Sequence, residues 1–353
     1  FTFLGVPECD LEDESSYADA DVVILGAPFD GGTSYRAGTR FGPQAIRMTD
    51  YLPHDGSRPS LALRTDGLAD LKVYDAGDVE MYSGDIEVAL PALEAAVEKV
   101  ARAGAIPLSL GGDHSIAYPD AKGCANVIGA GRVSMIHFDA HADTGDIEFG
   151  SLWGHGQPMR RLIESGAVRG DRFLQIGLRG YWPPPETLDW MAEQHMRSYE
   201  MTEVVHRGLT ECLTEAFMIA TDDCDGVFLS VDIDVCDPGH APGTGTPEPG
   251  GLSARELLDA VRRICLELPV CGIDVVEVSP PYDHADITAA LANRVVLEAL
   301  CAIARKRQDA RDGTRWDPLL PLLSDRAAPI PEGTIPSHHS THLSHDQGEL
   351  RRP

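Results

Sequence analysis

Three short clusters of aspartate and histidine carry the most informative chemistry in this sequence. The stretch IHFDAHADTGD places Asp139, His141 and Asp143 at alternate positions directly after an apolar run. In an extended chain such side chains point to the same side, so all three would face one spot. One aspartate alone would suit an ordinary strand end, but three ionisable groups aimed at one spot are costly without a cation. The trio therefore predicts a metal site.

Two further clusters complete the set of ligands. SVDIDVCDP carries Asp232 and Asp234 after an apolar run, and SLGGDHS presents His114 after two glycines that permit a sharp turn. Each motif is weak alone, because a DxD pair also occurs in solvated turns and a single histidine at a helix start is more often structural. Together, two histidines and four aspartates are enough to hold two divalent ions with bridging carboxylates. These six residues are His114, Asp139, His141, Asp143, Asp232 and Asp234.

The donor types narrow the choice of metal and of reaction. Imidazole and carboxylate ligands without thiolate suit Mn²⁺, with Ni²⁺ and Fe²⁺ as competitors, better than a structural zinc. Two such ions about 3.5 to 4 Å apart can share a hydroxide, lower its pKa and aim it at an electrophilic carbon or phosphorus. The sequence therefore predicts a dinuclear hydrolase with two divalent ions per chain.

The elements around these clusters are those of an α/β protein. From Ala20 onward, short β-type runs alternate with longer amphipathic stretches, which is the pattern of a mainly parallel sheet. The apolar runs before the three clusters read as strands, and parallel strands present ligands at their carboxyl ends. No low-complexity linker interrupts the pattern, so we predict a single catalytic domain over residues 21–306 after an N-terminal segment of residues 1–20.

The last part of the chain has a different composition. Residues 307–353 are rich in proline and polar residues, which predicts a disordered tail or an arm lying on a neighbouring subunit. Four histidines cluster there: His338, His339, His342 and His345. No acidic residue or cysteine holds a fixed spacing with them, so a solvated tail is favoured over a metal-binding one.

Composition and charge exclude several classes of function. The 353 residues are 43% hydrophobic, enough for a large core, and the net charge of −27 repels nucleic acid and anionic lipid. Cationic or neutral small molecules are the better expectation for partners. No uninterrupted apolar run approaches the roughly 18 residues of a membrane span, and no signal-peptide pattern opens the sequence. The eight cysteines form no CxxC pair and mostly lie in apolar runs, so we expect reduced thiols and a cytoplasmic protein.

The motifs, taken in order, resemble a known family. GGDHS, HFDAHAD and SVDIDVCDPGHAPGTGTPEPGG are similar to the three metal signatures of the ureohydrolases, which include arginase and agmatinase. GAPFDGGTSYRAGTRFGPQAIR, QIGLRG and DVVEVSPPYD also match, so the resemblance spans residues 21–305. It implies a three-layer α/β/α fold around a mostly parallel sheet of about eight strands, shared with the related deacetylases. It also implies trimers or hexamers, and hydrolysis of a guanidino compound to urea and an amine.

The resemblance further implies a role for each matching residue. His114, Asp139, Asp143 and Asp232 would hold one ion, and His141, Asp139, Asp232 and Asp234 would hold the other, with Asp139 and Asp232 as bridges.

Three residues would act on the substrate. Asp143 would pass a proton to the departing amine, and His155 would shuttle protons beside the substrate. Glu277 would hold the guanidinium by paired hydrogen bonds. A buried ion pair of Glu277 with an arginine such as Arg179 is the alternative interpretation.

The chain departs from its family where substrate selectivity is set. The loop GDIEFGSLW lacks the Asn-rich pattern of arginases, LWGHGQPM departs from the agmatinase pattern, and RGYWPPPE is an unusual aromatic insertion. Asp146 and Glu148 make this loop acidic, so we expect a cationic substrate tail unless Arg160, Arg161 or Arg179 reaches the pocket. Trp153 and Trp182 would cover an amine or alkylated nitrogen by cation–π contact, or else pack a loop or a subunit contact.

These features favour a compact cationic guanidino compound, with agmatine first. Guanidine and a substituted biguanide follow, the latter releasing an alkylamine, and guanidinobutyrate is demoted by its carboxylate. A silent binding subunit in a mixed oligomer with a paralogue is the non-enzyme alternative, but it predicts lost ligands and all six are present. A dinuclear phosphoesterase would use other motifs, and the deacetylases carry a single zinc site.

Overall fold

The fold is built on one parallel sheet of eight strands. The computed structural model describes residues 1–50, 58–319 and 327–329. In chain order the strands are β1 (Val22–Ala27), β2 (Val73–Asp78), β3 (Ile106–Gly111), β4 (Val133–Phe138), β5 (Val168–Ile176), β6 (Arg197–Tyr199), β7 (Gly226–Asp232) and β8 (Val270–Val276). Their order across the sheet is β2-β1-β3-β8-β7-β4-β5-β6, with every neighbouring pair parallel.

Helices cover both faces of this sheet. They are α1 (Gly42–Met48), α2 (Gly67–Asp70), α3 (Ile86–Arg102), α4 (Ala117–Ile128), α5 (Pro158–Glu164), α6 (Pro185–Glu193), α7 (Met201–Arg207), α8 (Leu209–Ala220), α9 (Ala254–Glu267) and α10 (Ile287–Asp312). One buried apolar cluster holds the inner faces of α8, α9 and α10, and a second holds those of α3, α4 and α5. The predicted three-layer α/β/α architecture is therefore confirmed.

The central strands are buried on both faces. Every residue of β1, β4 and β7 is buried, as expected for parallel strands with helices on each side. Two of the longer helices, α3 and α9, start at side chains that accept backbone hydrogen bonds: Asp85 caps α3, and Ser253 with Glu256 forms a capping box at α9. Buried apolar strands and capped helices thus form a rigid frame for the loops at the carboxyl edge.

The longest helix, α10, is a core element. By length and composition alone it could cross a membrane. It does not contain a long uninterrupted apolar run, because charged residues lie within it. However, 78% of its most apolar window is buried inside the protein, which is typical of a core helix. Residue 306, where the predicted catalytic domain ends, lies inside α10.

Both flanking segments contact the domain where the structure describes them. Phe3, Leu4 and Val6 are buried in the core, and the amide of Phe3 donates to Asp75 on β2 at 2.8 Å. After α10, strand β9 (Thr314–Trp316) pairs with β10 (Ala327–Pro329) in an antiparallel ribbon. The four clustered histidines of the tail lie outside the described residues.

The sheet order brings the sequence clusters together. Strands β3, β8, β7 and β4 are consecutive neighbours, and His114, Glu277, Asp232 and Asp139 lie at or just after their carboxyl ends. Residues far apart in the chain therefore meet at one edge of the sheet, which is where ligands bind in such folds.

Candidate active site

The first group of predicted ligands surrounds the imidazole of His114. Its Nδ1 lies 3.0 Å from an oxygen of Asp139, 2.9 Å from one of Asp143 and 3.2 Å from one of Asp232. All four side chains are buried. Separations near 3 Å are those expected between neighbouring ligands of one ion with metal–ligand bonds of about 2.1 Å.

The opposite nitrogen of His114 shows why a cation fits this group. Nε2 lies 2.8 Å from Ser230 Oγ, and that hydroxyl donates to Asp274 at 2.7 Å. Because the serine proton is used, Nε2 carries the imidazole proton and Nδ1 presents a lone pair. Nδ1 is buried and makes no well-formed hydrogen bond to the described residues. A lone pair facing three carboxylate oxygens is favourable only with a cation between them.

The second group lies beside the first. His141 Nδ1 is 3.1 Å from an oxygen of Asp234 and 3.4 Å from an oxygen of Asp139. Asp139 thus belongs to both groups, one oxygen facing each, which is the placement that a bridging ligand needs. Asp232 faces His114 with one oxygen and accepts from the amide of Asp234 with the other, at 2.8 Å.

Electrostatics also favour cations at this centre. Burial, followed by the neighbouring carboxylate of Asp139, raises the pKa of Asp143 to about 7. Burial and the charges of Asp234 and Asp139 raise the pKa of Asp232 well above its usual range. Carboxyl groups so placed resist ionisation unless positive charge is supplied. The six ligand side chains therefore fit two divalent ions.

His155 and Glu277 form a pair next to the first group. His155 Nδ1 lies 2.9 Å from Glu277 Oε1, which also accepts from the amide of His114 at 2.8 Å. The second oxygen, Oε2, is buried without a hydrogen-bond partner in the described part of the chain. Arg179 does not pair with Glu277, because its guanidinium donates to backbone carbonyls, among them those of Asp234 and Glu248.

Two of these acidic residues adopt strained backbone conformations. Glu277 has φ of 64° and Asp143 has φ of 53°, the left-handed region that residues with a side chain rarely adopt. Such conformations cost on the order of 1 to 3 kcal/mol and persist where the surrounding structure enforces them. The frame thus aims both carboxylates at the centre at some expense of stability.

A cavity of about 440 Å³ opens above the metal ligands. Its wall consists of Ser34, His141, Asp143, Glu148, Phe149, His155, Gly156, Trp182, Asp232 and Thr246. It is large enough for a small guanidino compound, and metal ligands form its floor while aromatic and acidic side chains line its mouth.

The four residues predicted for substrate binding at the mouth divide into two pairs. Glu148 and Trp182 line the cavity. Asp146 points to α5, where it forms ion pairs with Arg160 at 3.7 Å and Arg161 at 3.0 Å.

Trp153 lies elsewhere as well. Its ring packs on Tyr118 with 5.1 Å between centroids, and it is not part of the cavity wall. For this tryptophan the structure has the packing contact that was the alternative interpretation.

Comparison with known proteins identifies the family. The model of the arginase family matches residues 20–302. The chain belongs to the arginase family. It is therefore a metal-dependent hydrolase of the ureohydrolase type, as predicted, and this family uses a dinuclear divalent metal site.

Relatives with different named substrates are about equally similar to the chain. Proclavaminate amidinohydrolase from Streptomyces clavuligerus is 39% identical over 289 residues, covering 81% of this chain and 88% of that protein. Its solved structure superposes with a TM-score of 0.76 at 35% identity, covering 86% and 97% of the two chains. Guanidinobutyrase from Pseudomonas aeruginosa is 37% identical, covering 80% and 86%. Agmatinase from Gallus gallus is 36% identical, covering 82% and 83%.

One buried residue of this arginase-family centre was missed from sequence. His137 Nε2 lies 2.8 Å from Asp139, and Gln175 contacts its Nδ1 at 3.2 Å. It supports the aspartate that belongs to both ligand groups. His137 lies two positions before Asp139, so strand alternation places its side chain on the same side as those of Asp139 and His141. Its position inside an apolar strand, however, is also typical of a core residue.

Four residues of the cavity wall were also missed: Ser34, Phe149, Gly156 and Thr246. Phe149 is 91% exposed at the mouth, and Thr246 lies 3.4 Å from a ligand oxygen of Asp234. Ser34 comes from the loop after β1 and contacts His155 across 121 positions of sequence. No local pattern indicates such long-range contacts.

Proposed function

We propose that this arginase-family enzyme hydrolyses a compact cationic guanidino compound, with agmatine the first candidate. The observation that carries the proposal is Glu148, a half-buried carboxylate on the cavity wall. No ion pair or side-chain hydrogen bond to it is formed within the described residues, and no lysine or arginine lines the cavity. An unneutralised acid at that position favours a second positive charge on the substrate.

The loop is shaped around this carboxylate. The oxygens of Glu148 lie so close to Gly145 and Gly156 that a side chain at either glycine would collide with them. Burial raises the pKa of Glu148, and the nearby His155 lowers it. A cationic substrate tail would compensate for this desolvation.

The residues at the bottom of the cavity bind the ions and orient the guanidinium. When bound, two divalent ions held by the six ligands supply Lewis-acid polarisation and a water nucleophile of lowered pKa. Glu277 presents its unpartnered oxygen to a guanidinium N–H, and its other oxygen is fixed by His114 and His155. This fixes the plane of the substrate, which matters because a delocalised guanidinium carbon is a poor electrophile.

Proton transfer falls to two side chains at the cavity. Asp143 and His155 both line it, and a carboxyl and an imidazole are common groups for proton transfer. We assign to Asp143 the proton that reaches the departing amine, and to His155 the exchange of protons with the cavity.

Guanidino acids are disfavoured by the same geometry. Two of the relatives have names that refer to carboxylate-bearing compounds, proclavaminate and guanidinobutyrate. Here Arg160 and Arg161 pair with Asp146 and Glu164, and Arg179 donates to backbone carbonyls. None of these arginines is part of the cavity wall, so a substrate carboxylate would meet Glu148 without an arginine to compensate for it.

Guanidine or a substituted biguanide is the second candidate. Trp182 and Phe149 add two aromatic faces to the mouth, which favours a delocalised or alkylated cation. A biguanide substrate would release an alkylamine, and urea would then not be the product. Mn²⁺ as the working metal, Ni²⁺ as its alternative, assembly as trimers or hexamers, a mixed oligomer with a paralogue, and a cytoplasmic address stay predictions.

One substrate panel tests this proposal. The protein is loaded separately with Mn²⁺ and with Ni²⁺, and kcat/KM is measured on agmatine, guanidine, an N-alkyl biguanide, guanidinobutyrate and arginine, with both urea and amine release recorded. We expect a cationic compound without a carboxylate to be preferred. A clear preference for guanidinobutyrate or arginine would contradict the assignment of Glu148, and hydrolysis of none would contradict the function.

A further inference from the structure

Both ring nitrogens of His155 have partners, and together these partners define its protonation state. Nδ1 faces the Glu277 carboxylate at 2.9 Å. Nε2 lies 3.0 Å from the backbone nitrogen of Ser34 and 2.6 Å from its hydroxyl oxygen. A backbone N–H can only donate, so Nε2 must accept and the ring proton sits on Nδ1. In this arrangement His155 is neutral, and Ser34 covers its lone pair.

Two hydrogen bonds of the Gly32 backbone anchor the loop that carries Ser34. Gly32 accepts a hydrogen bond from the amide of His155 at 3.0 Å and donates its own amide to Asp113 at 2.7 Å. A Cβ at Gly32 would come within 3.1 Å of both partners, so glycine permits this close approach. Ser34 itself is exposed and lines the cavity together with His155. Its hydroxyl is thus placed to contact both the ring and the contents of the cavity.

We propose that the Ser34 hydroxyl is the relay through which His155 exchanges protons with the cavity. In one direction, Oγ takes a proton from a donor in the cavity while the original hydroxyl proton moves to Nε2. In the other, Nε2–H returns its proton to Oγ while the hydroxyl gives one to an acceptor in the cavity. Ser34 ends each cycle unchanged, and the imidazolium formed in between is paired with Glu277. The inference rests on the proposed hydrolysis of a guanidino compound.

Two opposing influences act on the protonation state of the His155 ring. Burial alone would lower the pKa of His155, but the facing carboxylates of Glu277, Asp113 and Asp143 outweigh it and raise that pKa to about 9. The N–H of Ser34 acts the other way, because it donates only to a neutral Nε2. Charge therefore favours the imidazolium while the loop favours the neutral ring, as a proton shuttle requires.

Kinetics of three variants test the relay. Ser34→Ala should lower kcat by about 10- to 100-fold with KM within about 2-fold, since general acid and base groups contribute roughly 10² to 10⁴-fold. Ser34→Thr keeps a hydroxyl and should restore most of the rate. The neighbouring Thr33→Val is the matched control, because the Thr33 hydroxyl makes only a 3.5 Å contact to Asp113. Its kcat should stay near that of the wild type.

A double variant separates a relay from a structural role. In a His155→Asn background, adding Ser34→Ala should cause no further loss of kcat, because the relay then has no end point. Equal losses from Ser34→Ala with and without His155 would overturn the proposal, as would wild-type kcat in Ser34→Ala.

A measurement independent of turnover keeps the two proposals distinguishable. ¹⁵N-histidine spectra of the Zn²⁺-loaded, diamagnetic protein, recorded above the His155 pKa of about 9, should show this ring protonated at Nδ1 and unprotonated at Nε2, with His155→Asn assigning the signals. A proton on Nε2 there overturns the Ser34 arrangement even if turnover is normal. If the wild type hydrolyses no guanidino compound, the proposed function fails, and the spectra still decide whether Ser34 controls His155.

Discussion

The floor and the mouth of the cavity are built in different ways. The floor consists of ligands at or just after the ends of β3, β4 and β7, and all of them except the partly exposed His141 are buried. The mouth consists of loop residues around Glu148, Phe149 and Trp182, of which Phe149 is almost fully exposed. A buried floor tolerates little change, whereas an exposed mouth can vary without cost to the core.

This contrast is compatible with the different substrate names of relatives that have similar identity to the chain. Proclavaminate amidinohydrolase, guanidinobutyrase and agmatinase are 36% to 39% identical to the chain, so overall identity does not order them by substrate. We therefore expect the floor to determine the reaction class and the mouth to determine the choice of substrate. Changes to the floor should therefore abolish the reaction, whereas changes to the mouth should alter which substrate is preferred.

The largest effect is expected at the floor. Asp139→Ala, His141→Ala and Asp234→Ala should each lower turnover by more than about 10³-fold and reduce the metal content per chain, because these groups converge on shared ions. Circular dichroism and thermal melts should show a folded protein, since the ligands lie at strand ends. The exposed Asp189→Asn on α6 is the control. Full turnover in a metal-free preparation would contradict the dinuclear centre.

A smaller loss is expected for His155, which stands between floor and mouth. His155→Asn should lower kcat by about 10² to 10⁴-fold while metal content stays at the wild-type value, because its contacts are to Glu277 and Ser34. Metal analysis and steady-state kinetics on one preparation test both parts. His195→Asn, at an exposed position after α6, provides the control. Loss of metal in His155→Asn would indicate that His155 contributes to metal binding, as the residues of the floor do.

The floor could be predicted from the sequence because strand periodicity marks it. Alternation in HFDAHAD placed Asp139, His141 and Asp143 on one side, and the structure brings them to one centre. The sheet order could not be predicted, since β8 and β7 lie between β3 and β4. Residues that meet only through this order or through loops therefore required the structure.

The mouth could be predicted only in part. Trp153 and Trp182 are the same residue type in loops without periodicity, yet one packs on Tyr118 and the other lines the cavity. Likewise Asp146 and Glu148 are two positions apart, but only Asp146 finds arginine partners on α5. Composition identified the acidic loop, whereas the direction of each side chain depends on neighbours that no local pattern shows.

At the mouth, Glu148 should have the largest effect. Glu148→Gln should lower kcat/KM for agmatine by about 10-fold, the effect of losing one partly buried charge contact of about 1.4 kcal/mol. Guanidine, which has no distal charge, should be nearly unaffected, and guanidinobutyrate should improve. Glu164→Gln on α5 is the control, because Glu164 pairs with Arg160 and Arg161 away from the cavity wall. Equal losses of kcat/KM on agmatine and guanidine would show that Glu148 acts on the reaction common to both substrates and not on the distal charge of agmatine.

The aromatic side of the mouth should contribute less. Trp182→Leu should lower kcat/KM for an alkylated cation by about 2- to 5-fold, since cation–π contacts at exposed sites contribute about 0.5 to 1 kcal/mol. The adjacent Tyr181 is fully exposed and not part of the cavity wall, so Tyr181→Leu is a matched control. If both variants lose activity equally, the effect comes from the loop and not from the ring.

The smallest effect on catalysis is expected far from both regions, in a partly exposed ion-pair network on α7 and α8. Hydrogen bonds from Arg197, followed by those from Arg207, lower the pKa of Glu203 to about 2 despite partial burial. A carboxylate whose folded pKa is depressed stabilises the fold fully above its unfolded pKa of about 4.5, and this contribution is lost as the pH falls toward 2.

Glu203→Gln should therefore lower the Tm at pH 7 by about 2 °C, corresponding to about 1 kcal/mol, while kcat/KM on every substrate stays unchanged. The difference in Tm between variant and wild type should begin to shrink below the unfolded pKa of about 4.5 and nearly vanish only near pH 2, where the folded wild-type carboxylate protonates. Glu193→Gln, at an exposed position on α6 without an ion pair in the described structure, controls for the loss of one surface charge. A constant gap in Tm from pH 7 to pH 3 would show that packing, and not ionisation, accounts for the contribution of Glu203.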